Sequence, residues 1–136
     1  MTDARLGRML NEVCQATGAG LESLPGADRW VFQFPLEGGR GQDVMLSLEE
    51  GSLRMWTQCT GFASDLETPN LFKELLRRND VLGHGYFALG SDGGVLMVDA
   101  QLLEAATPAS LKLSLTNLAS VGDHVEGMLS AGEDLF

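Results

Sequence analysis

Apolar positions near the start of the chain recur every three or four residues: Leu6, Met9, Leu10, Val13 and Cys14. That spacing lays one stripe along a helix and predicts helix from about residue 3 to 17, with Thr2 as its N-cap and Gly18 as its stop. The period then changes. Past Gly18, Gly20, Pro25 and Gly26, which read as a loop, Trp30-Val31-Phe32-Gln33-Phe34 is an aromatic and β-branched run suited to a strand. Pro35 and the turn Gly38-Gly39-Arg40-Gly41 close it. Val44, Leu46 and Leu48 alternate with Asp43, Met45 and Ser47, and past Glu50-Gly51, Leu53, Met55, Thr57 and Cys59 alternate with Arg54, Trp56 and Gln58. Two further strands of a meander follow from that alternation.

Helical spacing returns after Thr68-Pro69, where Leu71, Phe72, Leu75 and Leu76 form a second stripe that must end before Gly83 and Gly85. The runs 86–89 and 95–98 flank Ser91-Asp92-Gly93-Gly94, whose Asp-Gly pair suits a tight hairpin. A second Thr-Pro signal, Thr107-Pro108, opens a long helix carrying Leu111, Leu115, Leu118, Val121, Val125 and Met128 and ending near Ala131 and Gly132. The order is α-β-β-β-α-β-β-α, without the βαβ repeat of a doubly wound sheet. It predicts an α+β fold, a twisted antiparallel sheet packed against helices, as a single domain over 1–136.

Both faces of that sheet carry apolar residues. With Trp30, Phe32, Phe34, Val44, Leu46, Leu48, Leu53 and Met55 toward the helices, Val31, Met45 and Trp56 emerge on the other side. The same alternation in the last hairpin groups Phe87, Leu89, Leu96 and Val98 against Tyr86, Val95 and Met97. A surplus of apolar surface of this kind suggests binding, with the flexible Met9, Met45, Met55 and Met97 and the rigid Trp56 supplying an adaptable surface.

At 136 residues the chain is long enough to bury a core without disulfide or metal, and 44% hydrophobic with 21% charged residues is an ordinary globular composition. Nine Lys plus Arg against nineteen Asp plus Glu give a net charge of −10, which repels nucleic acid. Cys14 and Cys59 are read as packing residues. A charged amino end and the absence of a long apolar run point to a protein that is neither secreted by a signal peptide nor membrane-spanning.

Chemistry is hard to find. The Gly-Gly-Arg-Gly turn lies between strands and lacks the helix and the Lys-Ser or Lys-Thr of a phosphate loop. His84 and His124 have no Cys, Asp or Glu at a recognised ligand spacing, so neither a metal nor any other cofactor is expected. Ser91 and Ser110 lack a nucleophile elbow, and the acid pairs Glu49-Glu50 and Asp65 with Glu67 sit in exposed turns. No enzymatic activity is expected.

The element order, the helix Leu71-Phe72-Lys73-Glu74-Leu75-Leu76-Arg77-Arg78-Asn79, the small-residue hairpin and the long last helix together resemble the YbjN and type III secretion chaperone (CesT-like) superfamily. The motif is Leu-Leu-x-x-Asn followed by a glycine-bearing hairpin. The resemblance implies a small acidic cytoplasmic protein, a homodimer, that binds another protein, either a secreted effector or a regulatory partner. It implies a partner surface at Leu6, Met9, Leu10, Val13, Val31 and Trp56, to which the sheet pattern adds Met45. It also implies a dimer contact from helix two or the second hairpin, at Leu71, Leu75, Tyr86, Val95 and Met97. From the residues alone, a second function stands beside apolar docking of a partner: a small-molecule sensor with a pocket between sheet and last helix.

Overall fold

The computed structural model describes residues 4–26, 28–60, 68–91 and 93–130, with the side chains at 60, 68–71 and 127–130 outside the description. Among the described residues three α-helices and six strands follow in the order α1 (Ala4–Thr17), β1 (Gly20–Ser23), β2 (Arg29–Pro35), β3 (Gly41–Glu49), β4 (Ser52–Thr60), α2 (Thr68–Asn79), β5 (Tyr86–Leu89), β6 (Val95–Leu102) and α3 (Pro108–Ser130). Single 3-10 turns stand at Glu37–Gly39 and Leu103–Ala105. All strands join one antiparallel sheet in the order β1-β2-β3-β4-β6-β5. The expected α+β architecture is therefore present, with one strand more than the alternation announces.

The extra strand is β1, in the stretch read as a loop. Its residues Gly20-Leu21-Glu22-Ser23 hold a single large apolar side chain, so no period marks them as a strand. Pairing with β2 in the register Leu21↔Phe32 and Glu22↔Val31 holds them extended.

Elsewhere local chemistry explains the element ends. The N–H of Gly18 donates to Cys14 C=O at 2.8 Å, closing α1. Glu50 and Gly51 take φ angles of +51° and +79° between the paired Glu49 and Ser52, the positive pair a two-residue hairpin needs. At the start of α3, Ser110 N–H donates to Thr107 Oγ1 at 3.0 Å, while Thr107 N–H donates to Ser110 Oγ at 2.9 Å, a reciprocal cap. The expected cap at Thr2 and the expected end of α3 at Ala131 and Gly132 lie outside the described residues, as do Asp65, Glu67 and Asp92.

The core lies between the sheet and the helices α1 and α3. Leu6, Met9, Leu10 and Val13 of α1 and Leu111, Leu115 and Leu118 of α3 join Phe32, Phe34, Val44, Leu46, Leu53 and Met55 in one buried cluster. Phe32 and Phe34 stack with ring centroids 5.8 Å apart. α3 comes close to the strands at Gly122, opposite Thr57 of β4 and Gln42 of β3. Thr57 Oγ1 donates to Asp43 C=O and accepts from Gln42 Nε2, both at 2.7 Å, so this buried polar pair is satisfied internally. Arg40, in the turn before β3, reaches Asp123 of α3 through two nitrogens, the shorter contact 2.9 Å.

Candidate functional site

The register shows how the second face of the sheet is built. Val31 stands opposite Met45, Met45 opposite Trp56, Trp56 opposite Val98, and Val98 opposite Tyr86. Directly opposed residues share a face, so these five form one row across β2, β3, β4, β6 and β5, turned away from α1 and α3. At the usual strand separation the row is roughly 19 Å long. Val31 and Val98 are buried, Met45 and Trp56 are half-buried, and Tyr86 is exposed. The guanidinium of Arg54 lies 5.0 Å from the Trp56 ring centroid, a cation–π contact that covers part of the indole. Beside the row, a wide polar groove of about 600 Å³ is lined by Glu49, Glu50, Ser52, Arg54, Tyr86 and Ala100.

The hairpin faces differ from those expected. Phe87 pairs with Met97 and Leu89 with Val95, so these four share the core face, while Tyr86, Ala88, Leu96 and Val98 share the other. The cause is the length of the link. Gly90 belongs to it, with Gly90 N–H donating to Gly94 C=O at 2.8 Å and Gly93 N–H to Gly90 C=O at 3.0 Å. The link thus runs over residues 90–94 instead of 91–94, and a shift of one residue turns every side chain of β6 to the opposite face.

That shift relocates the residues expected at a dimer contact. Val95 and Met97 are buried on the core side, Leu75 is buried beside them, and Tyr86 is exposed on the far face. Leu71 lies in α2 with its side chain outside the described residues. The four α1 residues expected to meet a partner are also buried, because α3 and the sheet already occupy the helix stripe. Of the partner set, Met45 and Trp56 reach the surface, while Val31, next to Met45 in the row, is buried.

A second apolar site is formed by residues that periodicity treated as interior. Between α2 and β5 runs a groove of about 310 Å³ lined by Phe72, Leu75, Leu76, Phe87, Ala88, Leu89 and Val95. Leu76 is 68% exposed and Leu89 55% exposed. Leu76 does not follow Leu75 inward because the sheet meets only one side of α2. Leu89 is on the core face but lies at the sheet's edge, beyond the reach of α1 and α3.

Among the described residues the candidate catalytic groups stay apart. His84 and His124 are exposed, Ser91 is exposed beside the hairpin link, and Ser110 serves the α3 cap. Among the described residues no group of three His, Cys, Asp or Glu could hold a metal ion. Cys59 is fully buried and its thiol is pushed up to about 12 by desolvation, with a smaller contribution from the charge of Glu126. Cys14 is raised by burial as well. Both are poor nucleophiles. Among the described residues no helix is long and apolar enough to cross a membrane.

No protein-family model and no curated protein matches the chain. Its fold does match solved structures. One is the type III secretion chaperone SycH of Yersinia pestis in complex with a stable fragment of YscM2, with a TM-score of 0.59 and 17% identity over 87% of this chain and 97% of that one. The chain therefore has the fold of a type III secretion chaperone.

Proposed function

We propose that the chain is a non-enzymatic protein-binding module of the cytoplasm, chaperone-like or regulatory in the manner of YbjN proteins, acting as a homodimer of single-domain subunits. The observation that carries this reading is the exposure of large apolar side chains around the α2–β5 groove, where Leu76 and Leu89 face water with no assembly of catalytic groups among the described residues nearby. Two copies joined there would cover both leucines. The half-buried Met45 and Trp56 on the second sheet face then supply a place for an apolar segment of a partner, an effector or a regulatory protein. The net charge of −10 keeps such a surface soluble. SycH, which shares the fold, is a chaperone that holds a fragment of another protein, and this supports the reading. The sensor reading is disfavoured, because the layer between sheet and α3 is filled by Leu111, Leu115 and Leu118, none of them exposed.

Sedimentation equilibrium tests the dimer. Wild-type protein is expected at twice 14.6 kDa, and the double variant Leu76→Glu/Leu89→Glu at 14.6 kDa with unchanged circular dichroism. A wild-type monomer refutes this part of the proposal. For the partner surface, a photo-crosslinking residue at position 56 should capture a protein from native lysate, and Trp56→Asp should abolish co-purification of the same protein. Capture that survives Trp56→Asp removes the second face from the site.

A further inference from the structure

α2 meets β5 through more than apolar contact. Asn79, the last residue of α2, accepts a hydrogen bond from Phe87 N–H at its Oδ1 (2.6 Å) and donates from Nδ2 to Phe87 C=O (3.2 Å). In an antiparallel ladder, a residue directs its N–H and C=O to the same side. The backbone N–H and C=O of Phe87 therefore point away from Met97, its partner in β6, and lie at the rim of the sheet. β5 is the last strand, so those are the groups an added strand would engage. A carboxamide can turn its oxygen and one of its two N–H donors toward the same residue, the acceptor and donor that a residue of an added antiparallel strand would bring.

We infer that Asn79 is a latch that closes the β5 edge to strand addition, so that whatever docks in the α2–β5 groove is held by side chains and not by main-chain pairing. β5 is four residues long, and alternate residues face outward, which leaves Phe87 and Leu89 as the outward set. Asn79 occupies the first. Gly85, with φ of +74°, ends the extended backbone just before the strand, so no further ladder position exists on that side. The Leu-Leu-x-x-Asn motif acquires a physical meaning. Leu75 and Asn79 lie one helical turn apart, so burying Leu75 carries Asn79 to the strand, while Leu76 is left in the groove. The latch is independent of the dimer reading, which concerns only the groove's side chains.

Amide hydrogen exchange on the intact protein tests it. In wild type, the Phe87 amide should exchange roughly two- to tenfold more slowly than the Leu89 amide, its outward-facing neighbour in the same strand, as expected for one net hydrogen bond. Asn79→Ala should bring Phe87 to the Leu89 rate. Asn79→Asp, which keeps the acceptor, should leave the Phe87 amide protected. Unlatching should also create a concentration-dependent association in sedimentation velocity that persists when Leu76→Glu is added, since the new contact is main-chain. Equal exchange of Phe87 and Leu89 in wild type overturns the inference without any variant being made. Protection of Phe87 that survives Asn79→Ala, or exposure of Phe87 without new association, overturns it as well.

Discussion

Replacing Gly122 by alanine sets two effects against each other where α3 meets the sheet. A glycine-to-alanine change inside a helix gains about 1 kcal/mol of helix propensity. The new Cβ, however, would stand 2.6 Å from Thr57 Cγ2, 3.2 Å from Gln42 Nε2 and 3.5 Å from Thr57 Oγ1. The first distance is far inside van der Waals contact, and Thr57 is badly placed to yield. Its χ1 angle positions the methyl and the hydroxyl together, and the hydroxyl is committed to Asp43 C=O and Gln42 Nε2. Turning the methyl away would strand buried polar groups, at about 1–3 kcal/mol. Moving α3 outward instead costs about 1–3 kcal/mol of packing. At a separation of 2.6 Å the upper half of either range applies, about 2–3 kcal/mol, which outweighs the propensity gain. Gly122→Ala is then expected to lose about 1–2 kcal/mol net, a fall in Tm of roughly 3–7 °C.

Thr57→Ser isolates the cause, because it deletes Cγ2 and keeps the hydroxyl. Alone it should cost about 1 kcal/mol for the lost methyl. Combined with Gly122→Ala it should restore most of the stability, giving a coupling of at least about 1 kcal/mol in a double-mutant cycle from urea unfolding followed by circular dichroism. A single Gly122→Ala variant as stable as wild type, or a loss that persists in the Thr57→Ser background, would refute the contact as the controlling effect.

The buried Cys59 thiol predicts a pH dependence. Its folded pKa of about 12 lies above the ordinary 9.0, so the folded state retains a proton that the unfolded chain releases, and its stabilising contribution is present below pH 9 and lost between pH 9 and 12, at up to about 1.4 kcal/mol per pH unit. Urea midpoints across that window should fall less steeply in Cys59→Ala, and identical slopes would contradict the assignment. Gly85 predicts a backbone effect: with φ of +74° and an added Cβ only 3.0 Å from Val98 C=O, Gly85→Ala should lose more than about 1 kcal/mol in thermal unfolding. Gly93→Ala, where φ is +86° but no atom lies within 4 Å, should lose less. A reversed order would mean that contact at Gly85 does not matter.

Legibility in the sequence tracked how far away the deciding partner lay. In β4, Leu53, Met55, Thr57 and Cys59 are all buried as their alternation requires, because a nine-residue strand with one face against helices reports its own orientation. In β1, four residues around one leucine carry no such period, and only the pairing with β2 makes them a strand. The hairpin faces were decided by whether Gly90 belongs to a strand or to the link, a difference of one residue that composition does not encode. For α1, the periodicity correctly marked an apolar stripe, yet periodicity says that a stripe is covered and not by what. α3 and the sheet cover it. The amide of Asn79 finds its partner eight residues away across a glycine-rich break. Nothing in the helical pattern distinguishes it from an ordinary polar helix end.

The apolar surplus divides into two surfaces with different physics. On the second sheet face, Val31 and Val98 are sealed beneath Met45, Trp56 and Tyr86, with Arg54 laid on the indole, so that face is largely covered by its own long side chains. A segment docking there would have to displace or share Arg54 before it gained indole area, so binding on this face would be conditional on a complementary partner. At the α2–β5 end the leucines lack such cover among the described residues, and with Asn79 on the outward groups of Phe87 the backbone left open on β5 is reduced to Leu89. The groove lies on the core side of the hairpin and the Trp56 row on its opposite side. Copies joined at the groove would therefore leave both rows open, so pairing of subunits and capture of a partner need not compete for the same residues.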